Sequence, residues 1–194
     1  MKVRDSGMPL EEMWTSYFNV ENILDRMQVN KTVNNLLEVG CGYGTFTLSA
    51  SKKITGKLFA TDIEKEMIDH TRKKTKLEGL TNIEFFNRDI IANGSGLPAG
   101  TIDYVMLFNI LHHDKPQELL GEAYKALCKQ GKAGVIHWRT DIETPRGPDM
   151  SIRPKPEQCV EWAKRAGFKV IQQPEIIAPY HYGIVFEKII RQKL

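Results

Sequence analysis

The sequence is poor in cysteine and contains no Cys-x-x-Cys pair. Its three cysteines, Cys41, Cys128 and Cys159, lie far apart in the chain. An odd number of widely spaced thiols indicates neither a disulfide framework nor a structural zinc site. The histidines show no ligand spacing either, so we expect no bound metal.

Long apolar runs are also missing. The longest are short, as at 104–108, and fall far below the ~20 residues that cross a bilayer. The N-terminal residues lack the apolar stretch of a secretory signal. Hydrophobic residues make up 41% of the chain and charged residues 26%, close to the average of soluble globular proteins. We therefore expect a cytoplasmic protein without a membrane partner.

The charge is nearly balanced. The formal net charge of +3 comes without a long run of lysine and arginine. The densest basic cluster, 72–76, has Asp69 and Glu78 beside it, which is typical of a solvated helix face. We expect no nucleic-acid partner. A length of 194 residues suits a single domain spanning 1–194, with a helical cap at 1–30 before a core at 33–194.

Two common nucleotide motifs are absent from the most distinctive stretch, Asn35–Phe46. An apolar strand there leads into glycines at alternate positions, Gly40, Gly42 and Gly44, and then into a helix. The dinucleotide fingerprint G-x-G-x-x-G fails because Thr45 occupies its third glycine position. A phosphate loop fails because no Gly-Lys-Ser/Thr follows. Glycine still lets the backbone take positive φ and approach a ligand closely.

The rest of the chain alternates strands with helices, which predicts an α/β fold with a mainly parallel sheet. Asp114 is predicted to cap a helix that runs to about Lys129, with Gly131 as its terminator. The last two strands are close enough for an antiparallel hairpin. Strands are predicted at 36–39, 57–62, 82–87, 101–109, 133–138, 168–177 and 182–190, and a long loop at 139–156.

Chemically useful side chains follow the predicted strands at their carboxyl ends. Parallel α/β sheets bind ligands beyond this edge. The residues expected to converge there are Gly40–Gly44, Asp62, Asp89, Asn109, His112 and His137.

With these motifs in place, the chain resembles the class I S-adenosylmethionine-dependent methyltransferases, and its small-molecule, type 11-like branch in particular. The stretch 37–44 resembles their first motif, Asp62 their ribose-binding acid, 89–90 their adenine-binding position and 108–113 their fourth-strand motif. The resemblance implies a Rossmann-like, doubly wound sheet of seven strands in the order 3-2-1-4-5-7-6, with the last, inserted strand antiparallel.

The resemblance also implies S-adenosylmethionine as cofactor. Asp62 would accept hydrogen bonds from the ribose diol, and Asp89 would accept a hydrogen bond from the adenine amine. Glu38 would lie near the methionine ammonium. Asp62 as a helix cap and Asp89 as a turn former remain open alternatives. The expected cofactor-binding residues are Tyr17, Glu38, Gly40, Cys41, Gly42, Gly44, Asp62, Ile63, Met67, Asp89, Ile90 and Asn109.

The acceptor is less well defined. Asn109-Ile110-Leu111-His112 departs from the Asn/Asp-Pro-Pro-aromatic pattern of enzymes that methylate adenine in DNA or glutamine. His112, His113 and His137 are candidates for a general base, because imidazole titrates near neutral pH. Capping or packing is the alternative for each.

Two further groups have two interpretations each. Trp14, Tyr17 and Phe18 share a helical face and either pack on the core or form an aromatic lid over the ligand. Arginines in and next to the long loop (Arg139, Arg146 and Arg153) either bind an anionic acceptor or tie down the loop.

We thus expect a methyltransferase acting on a small molecule. A non-catalytic module that binds S-adenosylmethionine is the alternative, and an RNA methyltransferase is a weaker one. The sequence leaves the oligomeric state undetermined.

Overall fold

A computed structural model describes residues 9–189 of the protein. The strands form a seven-stranded sheet in the order β3-β2-β1-β4-β5-β7-β6. Neighbours from β3 through β5 run parallel, whereas β7 is antiparallel to both β5 and β6. These features confirm the predicted fold and strand order. The strands are β1 (Leu36–Val39), β2 (Leu58–Asp62), β3 (Ile83–Asn87), β4 (Ile102–Phe108), β5 (Leu127–Trp138), β6 (Phe168–Ile177) and β7 (His181–Lys188).

Helices cover both faces of the sheet. None in the described part of the chain is long and apolar enough to cross a membrane. The first eight residues of the predicted cap, and the predicted strand end at Ile190, lie outside the described residues. The helices are α1 (Glu11–Ser16), α2 (Val20–Arg26), α3 (Thr47–Lys53), α4 (Lys65–Leu77), α5 (Ile90–Asn93), α6 (Pro116–Ala126) and α7 (Pro156–Ala166), with a 3-10 helix at Met150–Ile152.

The central strand β4 shows why two layers of helices are needed. Its side chains alternate between the faces of the sheet, as the period of two in a strand requires. Tyr104, Met106 and Phe108 join the core beneath α1–α4, while Val105 and Leu107 join the core beneath α5–α7. All five are buried. The sheet therefore buries apolar side chains on both faces. The carboxyl ends of its strands remain free to form a site.

The predicted end of α6 at Lys129 is wrong. The helix ends at Ala126, and Leu127 is already extended and begins β5. Leu127 is fully buried and pairs with Ile102 of β4. Sheet pairing thus overrides a helix-compatible sequence, and Gly131 lies within β5 instead of terminating a helix.

The predicted capping of α6 by Asp114 is also wrong. Lys115 occupies the N-cap position and makes no side-chain capping bond. The backbone N–H of Lys115 donates instead to His113 Nδ1 at 3.0 Å, and the Asp114 carboxylate lies 2.6 Å from the same ring. The start of α6 therefore has no side-chain cap of the kind that the sequence pattern assigns to Asp114.

Polar contacts attach the N-terminal helix α1 to the sheet edge. The Tyr43 hydroxyl, in the glycine loop, donates to the carbonyl of Pro9 at 3.1 Å. Glu11 pairs with Lys74 and His70 of α4. These bonds hold α1 beside the carboxyl ends of β1 and β2.

Gly134 in β5 leaves room for a buried hydroxyl. A Cβ at Gly134 would lie 1.9 Å from the Tyr104 hydroxyl oxygen, which donates to the Met27 carbonyl at 2.5 Å. Gly134→Ala should therefore displace Tyr104, break that bond and destabilise the protein by about 1–3 kcal/mol. Urea unfolding measures the change.

Gly121→Ala is the matched control, since a Cβ there meets no atom within 4 Å. In the interior of α6 this substitution should stabilise the protein by roughly 0.5–1 kcal/mol. Equal unfolding midpoints for the two variants would contradict the packing described for Gly134.

Candidate active site

A cleft opens at the carboxyl ends of β1–β5. It encloses about 980 Å³, including its open mouth. The residues that line the cleft lie at the same end of the sheet because the strands that carry or precede them run parallel. The lining residues are Trp14, Val39, Gly40, Thr61, Asp62, Ile63, Arg88, Asp89, Ile90, Ile91, Phe108, Asn109, Ile110, His112, His113, Leu119, Trp138 and Pro148.

The glycine loop after β1 has left-handed backbone at all three alternate glycines, with φ of +78° at Gly40, +51° at Gly42 and +77° at Gly44. A Cβ at Gly44 would also lie 2.6 Å from a Thr71 methyl group of α4. Thr71 in turn donates its hydroxyl hydrogen to the Gly42 carbonyl at 2.8 Å. Glycine is thus required both for the turn and for its close packing on α4.

Asp62, at the end of β2, joins this loop to the next turn. One carboxylate oxygen accepts the Gly42 N–H and the other accepts the Glu64 N–H, each at 2.9 Å. Burial raises the pKa of Asp62, and the amides of Glu64 and Gly42 oppose the rise. Each carboxylate oxygen can accept a further bond, so Asp62 can fix the loop and still face the cleft.

Glu38 lies behind the cleft wall. It is buried on β1 and accepts the Thr47 hydroxyl at 2.6 Å. Burial raises the pKa of Glu38 to about 8, although the bond from Thr47 opposes the rise. The carboxyl is therefore largely protonated at neutral pH and binds Thr47 as a neutral acid.

The β3 end of the cleft carries an acid and an arginine. One oxygen of Asp89 caps α5 by accepting the N–H groups of Ile91 and Ala92. Asp89 is therefore a helix cap as well as a cleft residue. Arg88 donates to the carbonyls of the loop that follows, at 2.7 Å in both cases.

Asn109 follows β4 in a conformation that is unusual for a residue other than glycine. Its φ is +54°, a region that asparagine tolerates better than most residues. The side chain is 9% exposed and lines the cleft. Among the described residues neither its amide oxygen nor its amide nitrogen has a hydrogen-bond partner. A buried amide without partners is costly, so Asn109 is suited to bind a ligand.

Two buried histidines meet at the other end of the cleft. His112 Nδ1 lies 3.1 Å from His137 Nε2. Burial lowers the pKa of His112 to about 4, and it also lowers the pKa of His137 well below its usual value. His112 Nε2 is buried and has no partner among residues 9–189. No group of three His, Cys, Asp or Glu side chains in that range is arranged as a metal site.

The long loop after β5 is held by Arg153. This guanidinium is 8% exposed and donates to the carbonyls of Pro148, Arg139 and Arg146 and to the Thr144 hydroxyl. Arg139 itself forms an ion pair with Asp141 at 2.7 Å. None of the three candidate arginines lines the cleft. Tying the loop is therefore the interpretation that the geometry supports.

The aromatic residues of α1 divide between core and cleft. Trp14 is buried and also lines the cleft, 6.2 Å from Trp138 between ring centroids. Phe18 is buried in the core. Tyr17 packs edge-on against Trp138 and Tyr180 without lining the cleft.

The structure brings together about half of the site residues expected from the sequence. Those lining the cleft are Gly40, Asp62, Ile63, Asp89, Ile90, Asn109, His112 and His113. Those placed outside its lining are Tyr17, Glu38, Cys41, Gly42, Gly44, Met67 and His137.

Sequence reasoning assigned no site role to Trp138 or Arg88. Trp138 ends β5 at the same edge as Asn109, and its indole Nε1 is buried without a partner in the described structure. In the sequence, the position of Trp138 at the end of a predicted strand could have indicated a role in the site. Arg88 directly precedes Asp89, a position that the sequence analysis did select.

Comparison with known proteins relates the central part of the chain to methyltransferases. A family model described as a methyltransferase domain matches residues 36–131. The crystal structure of an S-adenosylmethionine-dependent methyltransferase from Aquifex aeolicus superimposes with a TM-score of 0.80 at 23% identity, covering 89% of this chain and 91% of that one. Residues 36–131 therefore match a methyltransferase domain, and the fold is that of an S-adenosylmethionine-dependent methyltransferase of known structure.

Two curated relatives are longer than this chain. A 2-methyl-6-phytyl-1,4-hydroquinone methyltransferase from Oryza sativa subsp. japonica is 28% identical over 154 residues, which is 77% of this chain and 43% of that protein. A ribosomal protein L11 methyltransferase from Caldanaerobacter subterraneus subsp. tengcongensis is 33% identical over 61 residues, or 31% of this chain and 20% of that protein. The chain thus spans less than half the length of these relatives.

The buried acid Glu38 gives a pH-dependent prediction. Its pKa is raised from 4.5 to about 8 in the folded protein. Above pH 4.5 the unfolded chain releases this proton while the folded chain keeps it, so stability falls as pH rises toward 8. Glu38→Gln removes this loss and should gain more than about 1 kcal/mol on the wild type between pH 5.5 and pH 8.

Urea unfolding of the ligand-free protein at the two pH values measures the difference. Glu66→Gln, at an exposed position on α4, is the matched control and should follow the wild type. A Glu38→Gln difference that is the same at both pH values would show that Glu38 is ionised in the folded protein.

Proposed function

We propose that the protein transfers a methyl group from S-adenosylmethionine to a small-molecule acceptor. The observation that carries the proposal is the convergence of Asp62 and the glycine loop with the unpartnered side chains of Asn109, His112 and Trp138 in one cleft. Such buried polar atoms are costly unless a ligand pairs with them.

The cleft residues fit this cofactor. Asp62 has free lone pairs for a ribose diol, and Ile63 and Ile90 offer apolar surface for adenine. Asn109 lines the cleft with an unpartnered amide and would hold the methionine part together with the backbone of Gly40. S-adenosylmethionine carries no phosphate, so the glycine loop needs no cationic side chain.

The residues of this chain would act mainly by positioning. When bound, S-adenosylmethionine supplies an electrophilic methyl group on a sulfonium. Trp14, Trp138 and Phe108 exclude water from the β4–β5 end of the cleft, where the acceptor would lie in line with the methyl group. We assign His112 as the general base, His137 as the residue that positions it, and His113 to the rim of the cleft.

A small molecule suits the cleft better than RNA does. The positive charge of the basic cluster at 72–76 is partly neutralised, since Arg72 pairs with Asp69 and Lys74 pairs with Glu11. The hydroquinone methyltransferase of Oryza sativa is named for a small acceptor. A module that binds the cofactor without turnover would not need the unpartnered atoms of His112 and Trp138, and they favour an enzyme.

Calorimetry with S-adenosylhomocysteine, the demethylated product, tests the cofactor site. The wild type should bind it, and Asp62→Ala should lose about 1.5–3 kcal/mol of binding free energy, the cost of a lost charged hydrogen bond. Asp69→Ala removes an exposed carboxylate of α4 that pairs with Lys65 and Arg72 and should bind like the wild type.

Unchanged affinity in a folded Asp62→Ala variant would reduce Asp62 to a structural cap. No binding to the wild type at millimolar ligand would refute the proposed function.

A further inference from the structure

The acceptor end of the cleft combines apolar walls with a few unpartnered polar atoms. Because the sheet order places β3 and β2 on one side of β1 and β4 and β5 on the other, the ribose acid Asp62 and the histidine pair lie on opposite sides. The lining residues that belong to or follow β4 and β5 are Phe108, Asn109, Ile110, His112, His113, Leu119, Trp138 and Pro148, and Trp14 lies beside Trp138.

No cationic side chain of the described residues lines this end of the cleft. Among the described lining residues the arginine is Arg88, which lies at the β3 end and is bonded to loop carbonyls. Arg153 directs its donors to its own loop. Within the described lining a carboxylate or phosphate would therefore lose its hydration without gaining a direct ionic partner. An uncharged acceptor would not pay this cost of desolvating a charge.

The hydrogen bonds of the histidine pair define what His112 presents to the cleft. His137 Nδ1 faces the Trp138 carbonyl at 3.5 Å, and because a carbonyl can only accept, we assign the hydrogen of His137 to this nitrogen. His137 is neutral, since burial lowers its pKa, and its Nε2 is therefore an acceptor. His112 Nδ1 must donate to it across 3.1 Å. His112 Nε2 is left as an unprotonated acceptor without a partner.

We propose that the acceptor is an uncharged aromatic molecule whose hydroxyl group donates to His112 Nε2, with His137 fixing the tautomer and orientation of His112. The proposal rests on the proposed function and adds a substrate class to it. Aromatic walls favour a planar ring, and the unprotonated Nε2 requires a donor, which a phenolic hydroxyl supplies and an ether or carboxylate does not.

The transfer step balances with this assignment. The acceptor hydroxyl gives its proton to His112 Nε2 while its oxygen forms a bond to the methyl carbon. The bond between that carbon and sulfur breaks, and its electron pair stays on sulfur as a neutral thioether. One positive charge thus moves from the sulfonium to the imidazolium, and the proton passes to water once the product leaves.

NMR titration of the complex with S-adenosylhomocysteine tests this substrate class without requiring turnover. The probes are 4-ethylphenol, its methyl ether 4-ethylanisole, and 4-ethylbenzoate, at pH 7. We expect 4-ethylphenol to bind about fivefold or more tightly than either of the others, as the gain of one buried hydrogen bond implies. The 15N chemical shift of His112 Nε2 should identify an unprotonated nitrogen before the phenol is added.

Two substitutions and a control assign the preference to His112. His112→Phe keeps an aromatic ring without the acceptor atom and should reduce the ratio of phenol to anisole affinity to about one. His112→Gln retains an acceptor oxygen and should restore part of the preference. His70→Gln changes a half-buried histidine outside the cleft lining and should leave the preference intact.

Equal or tighter binding of 4-ethylbenzoate would overturn the proposal, as would no binding of any probe to a complex that does hold S-adenosylhomocysteine. A protonated His112 Nε2 in the wild-type protein would also overturn the proposal. This measurement needs no variant, so the proposal stays testable even if a variant misfolds. Failure to bind S-adenosylhomocysteine would instead count against the proposed function.

Discussion

The contact between the Asp62 carboxylate and the glycine loop organises the candidate site. One carboxylate accepts backbone N–H groups from Gly42 and from Glu64, at 2.9 Å each. It thereby fixes the loop after β1 against the turn after β2, and glycine backbone with positive φ makes this approach feasible. Every proposed role of the cofactor half depends on this pairing, because it places an acid and a side-chain-free backbone at the same edge.

The acceptor half depends on a different constraint, the burial of polar groups that the protein itself does not satisfy. Asn109, His112 and Trp138 keep unpartnered atoms in the cleft, whereas Arg153 nearby is fully engaged with loop carbonyls and a hydroxyl. Evolved cores rarely leave buried polar atoms unpaired. Thr45 Oγ1 and His181 Nε2, outside the cleft lining, are unpartnered as well. It is therefore the combination of a missing partner and a place in the cleft lining that marks Asn109, His112 and Trp138 as suited to a ligand.

The sequence predicted the architecture well, because apolar strands and glycine turns are local signals. It failed at the end of α6, where tertiary pairing decided, because Leu127 joins β5 through its contact with Ile102. At the start of α6 a local contact decided, since the Lys115 N–H donates to His113 Nδ1 and α6 has no side-chain cap. In the site, strand ends could be found because parallel strands share one edge. The contact between His112 and His137, and the part of Trp138 in the cleft, depend on side-chain packing that no local pattern encodes.

A crystal structure of the complex with S-adenosylhomocysteine tests the central claim most directly. The account predicts the ribose hydroxyls within hydrogen-bond distance of Asp62, the amino-acid part against Gly40–Gly44 and Asn109, and the sulfur directed toward the β4–β5 end of the cleft. A ligand bound elsewhere, or bound in the cleft while Asp62 contacts only Gly42 and Glu64, would contradict it.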